Sequence, residues 1–294
     1  MSATAISELS IAVKSSLAPS ELDDCAALIS EARWNQVAAD WRVFLEHGRI
    51  HAAHAANGCI VATTATLPYG GRFAWISMVL VAGPYRRRGL ATLLMQRAMN
   101  ELSAARLVPV LDATPDGRAV YLTLGFTDCW GFARLRREAR EAGEAVRPPD
   151  GISIRPIRDS DWPALCAFDA ASFGAERGAV LAGLRVRLPP AELIAHSGHG
   201  VHGFCLGRDG RVAAHIGPLV AENDTIASAL LGHAVAGIEA PIFIDLADAK
   251  SEVRSFLEER GFAPARPFTR MLHGSAERFD DHVRTFAVAG PEFG

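Results

Sequence analysis

Apolar positions along this chain fall into short runs of two kinds, spaced as helix faces or gathered as strands, and the order of the runs occurs twice. Residues 11–18 read as a first strand. After Pro19, Ser20 suits a helix cap, Glu21, Asp23 and Asp24 suit the dipole, and Leu22, Ala26, Leu28 and Ile29 lie on one face. A second helix is predicted over 37–46. Two β-type runs, 51–56 and 59–67, flank Asn57-Gly58, a hairpin signal. Another hairpin turns at Tyr69-Gly70-Gly71 and returns through 73–81. Then come a helix at 90–103, a strand at 108–113, a helix at 117–124 and Gly125-Phe126.

The second half repeats this order. A strand at 152–156 precedes a helix opened by Ser160-Asp161-Trp162. Runs 201–206 and 212–220 flank the turn Arg208-Asp209-Gly210. Helix 225–236, strand 241–246, helix 252–260 and Gly261-Phe262 follow. The repetition predicts a tandem duplication, with domains at 1–147 and 148–294. The charged stretch 132–148, ending before Pro149-Asp150-Gly151, reads as the tail of one domain and a linker. Residues 274–294 carry no clear element and are expected to wrap back or fray.

Composition narrows the class. The 294 residues are 49% hydrophobic and 21% charged, with net charge −3, which suits a globular protein and argues against a nucleic-acid partner. Five scattered cysteines without a C-x-x-C pair speak against a disulfide framework or zinc site. Asp245, Asp248, Glu252 and His273 lack metal-ligand spacing, so no metal is expected. No apolar run reaches membrane-spanning length and the first residues lack a cleavable leader, so a cytoplasmic protein without membrane contact is expected.

Candidate chemistry begins where the apolar run 79–82 stops at Gly83-Pro84. A basic turn, Tyr85-Arg86-Arg87-Arg88-Gly89, leads into the helix pattern Leu90-Ala91-Thr92-Leu93-Leu94. The first turn of a helix offers unpartnered N–H groups and partial positive charge, and a residue without a side chain lets an anion reach them. Arginine opposes the dipole there, so three of them imply an expected anion. Neither a Walker loop nor a dinucleotide fingerprint fits. Further on, Thr114-Pro115-Asp116 starts a short helix containing Tyr121, closed by Leu124-Gly125-Phe126.

The spacing R-x-x-G-x-A from Arg86 to Ala91, followed in order by this Tyr-bearing helix, resembles the GNAT superfamily of N-acetyltransferases over roughly residues 8–135. The resemblance implies an α/β (α+β) fold of two tandem GNAT units. Each would be a mixed, mostly antiparallel sheet flanked by helices and splayed at its fourth and fifth strands. It implies acetyl transfer from acetyl-CoA to a small-molecule primary amine by direct attack. Val79, Leu80 and Val81 would pair with the pantetheine, and Arg86, Arg87, Arg88, Gly89, Leu90, Ala91 and Thr92 would hold the pyrophosphate. Thr114 is counted with the cofactor residues, and Tyr121 matches the general acid. The fourth strand, 75–80, has no carboxylate to serve as base; Ser77 could hold a water, and Asp40, His51 and His54 are further candidates. Trp34, Asn35 and Asp40, with Ser77, would line the acceptor side, where an aromatic face attracts cations.

The second half lacks the loop. It reads Gly217 to Ala227 with Glu222 and Asp224, which would repel phosphate, and has Phe256 in place of the tyrosine. A degenerate second domain in a monomer or homodimer follows. The alternative function is a non-catalytic acyl-CoA binding or sensor protein, favoured by the missing carboxylate.

Overall fold

A computed structural model describes residues 9–14, 16–140, 145–275 and 277–294. The first four residues, and 141–144 of the stretch read as a linker, lie outside the described residues. The chain folds as two compact units, 1–111 and 112–294.

In the first unit β1 (Ser10–Lys14), α1 (Pro19–Glu31), α2 (Ala38–His47), β2 (Arg49–His54), β3 (Ile60–Tyr69), β4 (Phe73–Val81), α3 (Leu90–Ala104) and β5 (Val108–Ala113) follow one another. The sheet order is β1-β2-β3-β4-β5; its last joint is parallel and the others antiparallel. Cys25, Leu28 and Ile29 of α1, Trp41 and Phe44 of α2 and Leu94 and Met95 of α3 bury the apolar faces. Helix α1 begins earlier than predicted, and Ser20 lies inside it. Pro19 presets the first helical residue and holds Ala18 extended, and the Glu21 carboxylate accepts the Ala18 N–H at 2.8 Å.

The second unit runs α4 (Pro115–Thr123), β6 (Phe126–Arg137), β7 (Ser153–Pro156), α5 (Trp162–Phe173), α6 (Gly178–Leu184), β8 (Leu193–Ser197), β9 (Gly200–Arg208), β10 (Ala214–Ala221), α7 (Asp224–Ala236), β11 (Ile242–Ala247), α8 (Ser251–Glu258), β12 (Ala263–His273) and β13 (Thr285–Ala287). Its strand order is β12-β6-β11-β13-β10-β9-β8-β7, antiparallel except for a parallel contact of β10 with β11. Both units are thus mixed, mostly antiparallel sheets flanked by helices.

One expectation is corrected, and the two outcomes left open for the C-terminal segment are decided. The charged stretch from 132 is in its first part a strand, β6, held between β12 and β11. Its arginines have dedicated partners: Arg134 makes paired 2.8 Å bonds to Asp245, and Arg137 donates to the Val235 and Ile238 carbonyls around the end of α7. Residues 285–294 do not fray. Phe286, Ala287, Val288, Ala289 and Phe293 are buried, and Arg177 donates to the Gly294 carbonyl at 2.5 Å.

The units share a local device that records the repetition. Lys14 on β1 meets Glu21 at 2.7 Å while Glu21 caps α1. In the second unit Arg155 on β7 bonds Asp161 at 2.6 and 2.8 Å, and the same carboxylate accepts the Arg158 N–H at 2.8 Å. The bond from Lys14 and then the Ala18 N–H pull the Glu21 pKa down to about 2, and Arg155 likewise holds Asp161 far below the usual carboxylate range.

Candidate active site

In the first unit the sheet opens where the sequence places its chemistry. β4 and β5 pair only from Phe73–Trp75 to Val108–Val110, yet β4 continues to Val81. Beyond Trp75 no further strand pairs with β4 on that side among the described residues. The strand also carries a bulge. Thr63 opposes Leu80 but Ala65 opposes Ser77, and Met78 between them takes φ 52°, an uncommon conformation for a side chain of its size. The Thr63 hydroxyl donates to the Met78 carbonyl at 2.8 Å and fixes the distortion. Val79 and Val81 are the half-buried residues of a strand otherwise buried, and Leu80 between them faces the core.

The chain then turns through Gly83–Tyr85 into Arg86–Gly89. Arg87 has φ 59° and Gly89 φ 82°; the bend rests on this left-handed pair, and glycine supplies its second member without steric cost. Helix α3 starts at Leu90 with no side-chain cap and no acidic residue in its first turn, so the N–H groups of Leu90, Ala91 and Thr92 lack an intrahelical acceptor. Thr92 is exposed and Ala91 half-buried. The arginines divide the work. Arg86 donates to the Val81 carbonyl at 2.8 Å and meets Glu31 at 2.7 Å, bracing the turn against α1. Arg88 lies over the Tyr85 ring at 5.7 Å, and Arg87 is exposed. A cradle of N–H groups beside open guanidinium groups fits a diphosphate.

Of the residues expected on the acceptor side, Trp34 is half-buried just past the end of α1, beyond Arg33 at φ 57°. Asn35 is 2% exposed. Asp40 is fully buried, and one of its oxygens accepts the Val37 N–H at 2.8 Å as the cap of α2. Ser77 is buried on β4. Sequence reading passed over Gln36, 7% exposed, whose terminal amide oxygen meets no hydrogen-bond partner among the described residues. A buried acceptor without a partner marks a place where a donor is wanted. His51 is buried, its Nε2 3.6 Å from Glu101 and without a hydrogen-bond partner among the described residues, with burial lowering its pKa; His54 shares Glu21 with Lys14.

Thr114 and Tyr121 belong to the second unit. Thr114 Oγ1 accepts the Gly117 N–H at 3.2 Å and caps α4. The Tyr121 ring lies over Gly117: a Cβ there would sit 3.0 Å from the ring, so glycine makes its seat. Phe126 packs against it with ring centres 6.0 Å apart. Burial pushes the phenol up to about 12, which keeps it protonated.

The second unit forms the same opening and closes it. β10 and β11 pair over Ala214–Ile216 and Ile242–Ile244, then part. β13 lies in the opening, with Ala287 opposite both Leu219 and Leu246, and the Val288 N–H donates to the Asp245 carbonyl at 3.1 Å. A Cβ on Gly217 would collide with the Val288 carbonyl. Helix α7 supplies its own cap, Asn223 accepting the Ile226 N–H at 3.0 Å, with Asp224 in the first turn. Phe256 packs on the core.

Among the described residues no group of three or more His, Cys, Asp or Glu is placed to hold a metal, and no helix is long and apolar enough to cross a membrane. Comparison with known proteins agrees with this architecture. The acetyltransferase (GNAT) family matches residues 18–126, and an acetyltransferase (GNAT) domain matches 165–287. A Bacillus subtilis (strain 168) protein named uncharacterized N-acetyltransferase YitH is 23% identical over 240 residues, covering 80% of this chain and 82% of that protein. A putative acetyltransferase from Pyrococcus horikoshii superposes with TM-score 0.76 at 20% identity, covering 98% of this chain and 96% of that one. A tandem GNAT protein from the clavulanic acid biosynthesis pathway gives 0.63 at 14% identity, covering 92% and 99%. At these identities the structural likeness is one of fold. Taken with the two matched regions, it shows that the chain belongs to the GNAT acetyltransferase family and carries two GNAT domains in tandem.

Proposed function

We propose that this protein transfers the acetyl group of acetyl-CoA to a small primary amine. The observation that carries the reading is the opening of β4 from β5 directly before an uncapped helix start, α3, free of acidic residues. Backbone groups of Val79 and Val81 accept and donate to the pantetheine as a neighbouring strand would, and the N–H groups from Arg87 to Thr92 hold the diphosphate. Arg87 and Arg88 add charge, and Arg86 keeps the turn in place.

The chemistry asks little of the side chains. A neutral amine attacks the thioester carbonyl, the C–S bond breaks, nitrogen loses one proton and sulfur gains one. Tyr121, kept protonated by burial, donates to the departing thiolate, whose thiol has a pKa of ~8.5. The proton released by nitrogen leaves through water near Ser77, since β4 offers no carboxylate. Gln36 Oε1 supplies the acceptor for an amine N–H beside Trp34 and Asn35.

The missing carboxylate also favours a second reading, an acyl-CoA binding protein without turnover. Thiol release from acetyl-CoA across a panel of amines separates the two: release above the amine-free rate supports the transferase, and acetyl-CoA binding with no release supports the sensor. In the Tyr121→Phe variant, turnover falls by about 100-fold or more while acetyl-CoA still binds; full turnover in that variant removes the acid role.

A further inference from the structure

The second unit holds a three-residue arrangement that acetyl transfer does not use. Ser197 ends β8, His202 lies on β9 and Glu222 follows β10, three strands that are neighbours in the sheet. Ser197 Oγ is 2.7 Å from His202 Nε2, and His202 Nδ1 is 2.7 Å from Glu222 Oε2. A carboxylate only accepts, so Nδ1 carries the ring proton and donates to Glu222. Nε2 is then the acceptor and the Ser197 hydroxyl donates to it. The His199 N–H donates to Ser197 Oγ at 3.0 Å, which fixes the rotamer and leaves the oxygen one lone pair. The main chain holds the row in place, because the Glu222 N–H donates to the His202 carbonyl at 3.0 Å. Ser197 is half-buried, and Gly198 and Gly200 beside it have no neighbouring atom within 4 Å of where a Cβ would stand.

We propose that Ser197, His202 and Glu222 form a nucleophilic triad that hydrolyses small activated carboxylic esters, an activity separate from acetyl transfer. Nucleophile, base and orienting carboxylate stand in the required order and at hydrogen-bond distance, and such triads are defined by geometry rather than by chain position. Ser197 Oγ bonds to the acyl carbon and passes its proton to His202 Nε2. The ester C–O bond breaks and the leaving oxygen takes that proton. Water then attacks the acyl-serine, giving its proton to Nε2, and the carboxylic acid departs as the serine is reprotonated.

The test is covalent capture. The full chain is treated with diisopropyl fluorophosphate, the modified peptide is mapped by mass, and p-nitrophenyl acetate hydrolysis is followed in parallel. Expected are a single label on Ser197, no label in Ser197→Ala, and labelling at least ~100-fold slower in His202→Ala, with slowing also in Glu222→Gln. No label, a label elsewhere, or unchanged labelling of Ser197 in a folded His202→Ala or Glu222→Gln protein overturns the proposal. The mapping on the unaltered protein decides even where a variant fails to fold.

Discussion

The two units form the same sheet opening and treat it in opposite ways. In the first, β4 leaves β5 after Trp75, and the helix that follows starts on Gly89 with neither cap nor acid. In the second, β10 leaves β11 after Ile216, β13 fills the space, and Asn223 and Asp224 occupy the start of α7. Backbone groups need partners, and a helix start needs an acceptor. The second unit finds both in its own chain; in the first, among the described residues, no strand fills the opening and no side chain caps the helix. The unmet requirement of the main chain, rather than the fold, which the two share, is what supports the first unit as the proposed cofactor site.

This contrast can be attacked from either side. The largest effect is expected from Phe286→Ala, which hollows the filled opening. Phe286 is fully buried with the Lys250 ammonium 3.7 Å from its ring, and its removal should cost about 3–5 kcal/mol in unfolding free energy with acetyl-CoA KM unchanged. A parallel rise in KM would show that the second opening takes part in binding. Next comes Thr92→Glu, which gives α3 the acidic start of α7. Glutamate at this exposed place stabilises the helix by about 0.3–1 kcal/mol, so thermal stability should hold or rise. Acetyl-CoA KM should rise about 100-fold, or about 2.8 kcal/mol. An unchanged KM would remove the diphosphate from α3.

A smaller effect is expected from Gly117→Ala. The added methyl presses on the Tyr121 ring, and turnover should fall about tenfold with acetyl-CoA affinity retained. The smallest concerns the clamp that the units share. Glu21→Gln should cost about 1 kcal/mol at neutral pH. Because folding depresses the Glu21 pKa from 4.5 to about 2, its contribution is full above pH 4.5 and is lost as pH falls toward 2. Acid-unfolding curves of the variant should therefore be flatter in that window, and Asp161→Asn should repeat the effect in the second unit.

Much of this was legible in the sequence. β4 and β5 have the predicted bounds, because each is a mostly apolar run closed by turn residues. The loop was legible through Gly89 and the arginines, although only the structure separates Arg86, a brace, from Arg87 and Arg88. β6 was hidden because counting charges says nothing of their partners; Arg134 reads as solvated until Asp245 is placed beside it, 111 residues away in sequence. Segment 285–294 was hidden because its pairing is short and depends on a space that two distant strands create. Ser197, His202 and Glu222 form no sequence motif, since two hairpins bring them together.

The bulge at Met78 sets the phase of everything after it. A strand is written in steps of two, and one inserted residue exchanges inside for outside along the remainder. Thr63 anchors that insertion, so Val79 and Val81 on one face of the strand and Leu80 on the other owe their directions to a hydroxyl on the neighbouring strand. Deleting Met78 would leave a strand of respectable length and composition with its last three side chains transposed, a shift of reading frame carried out in the protein rather than in its gene.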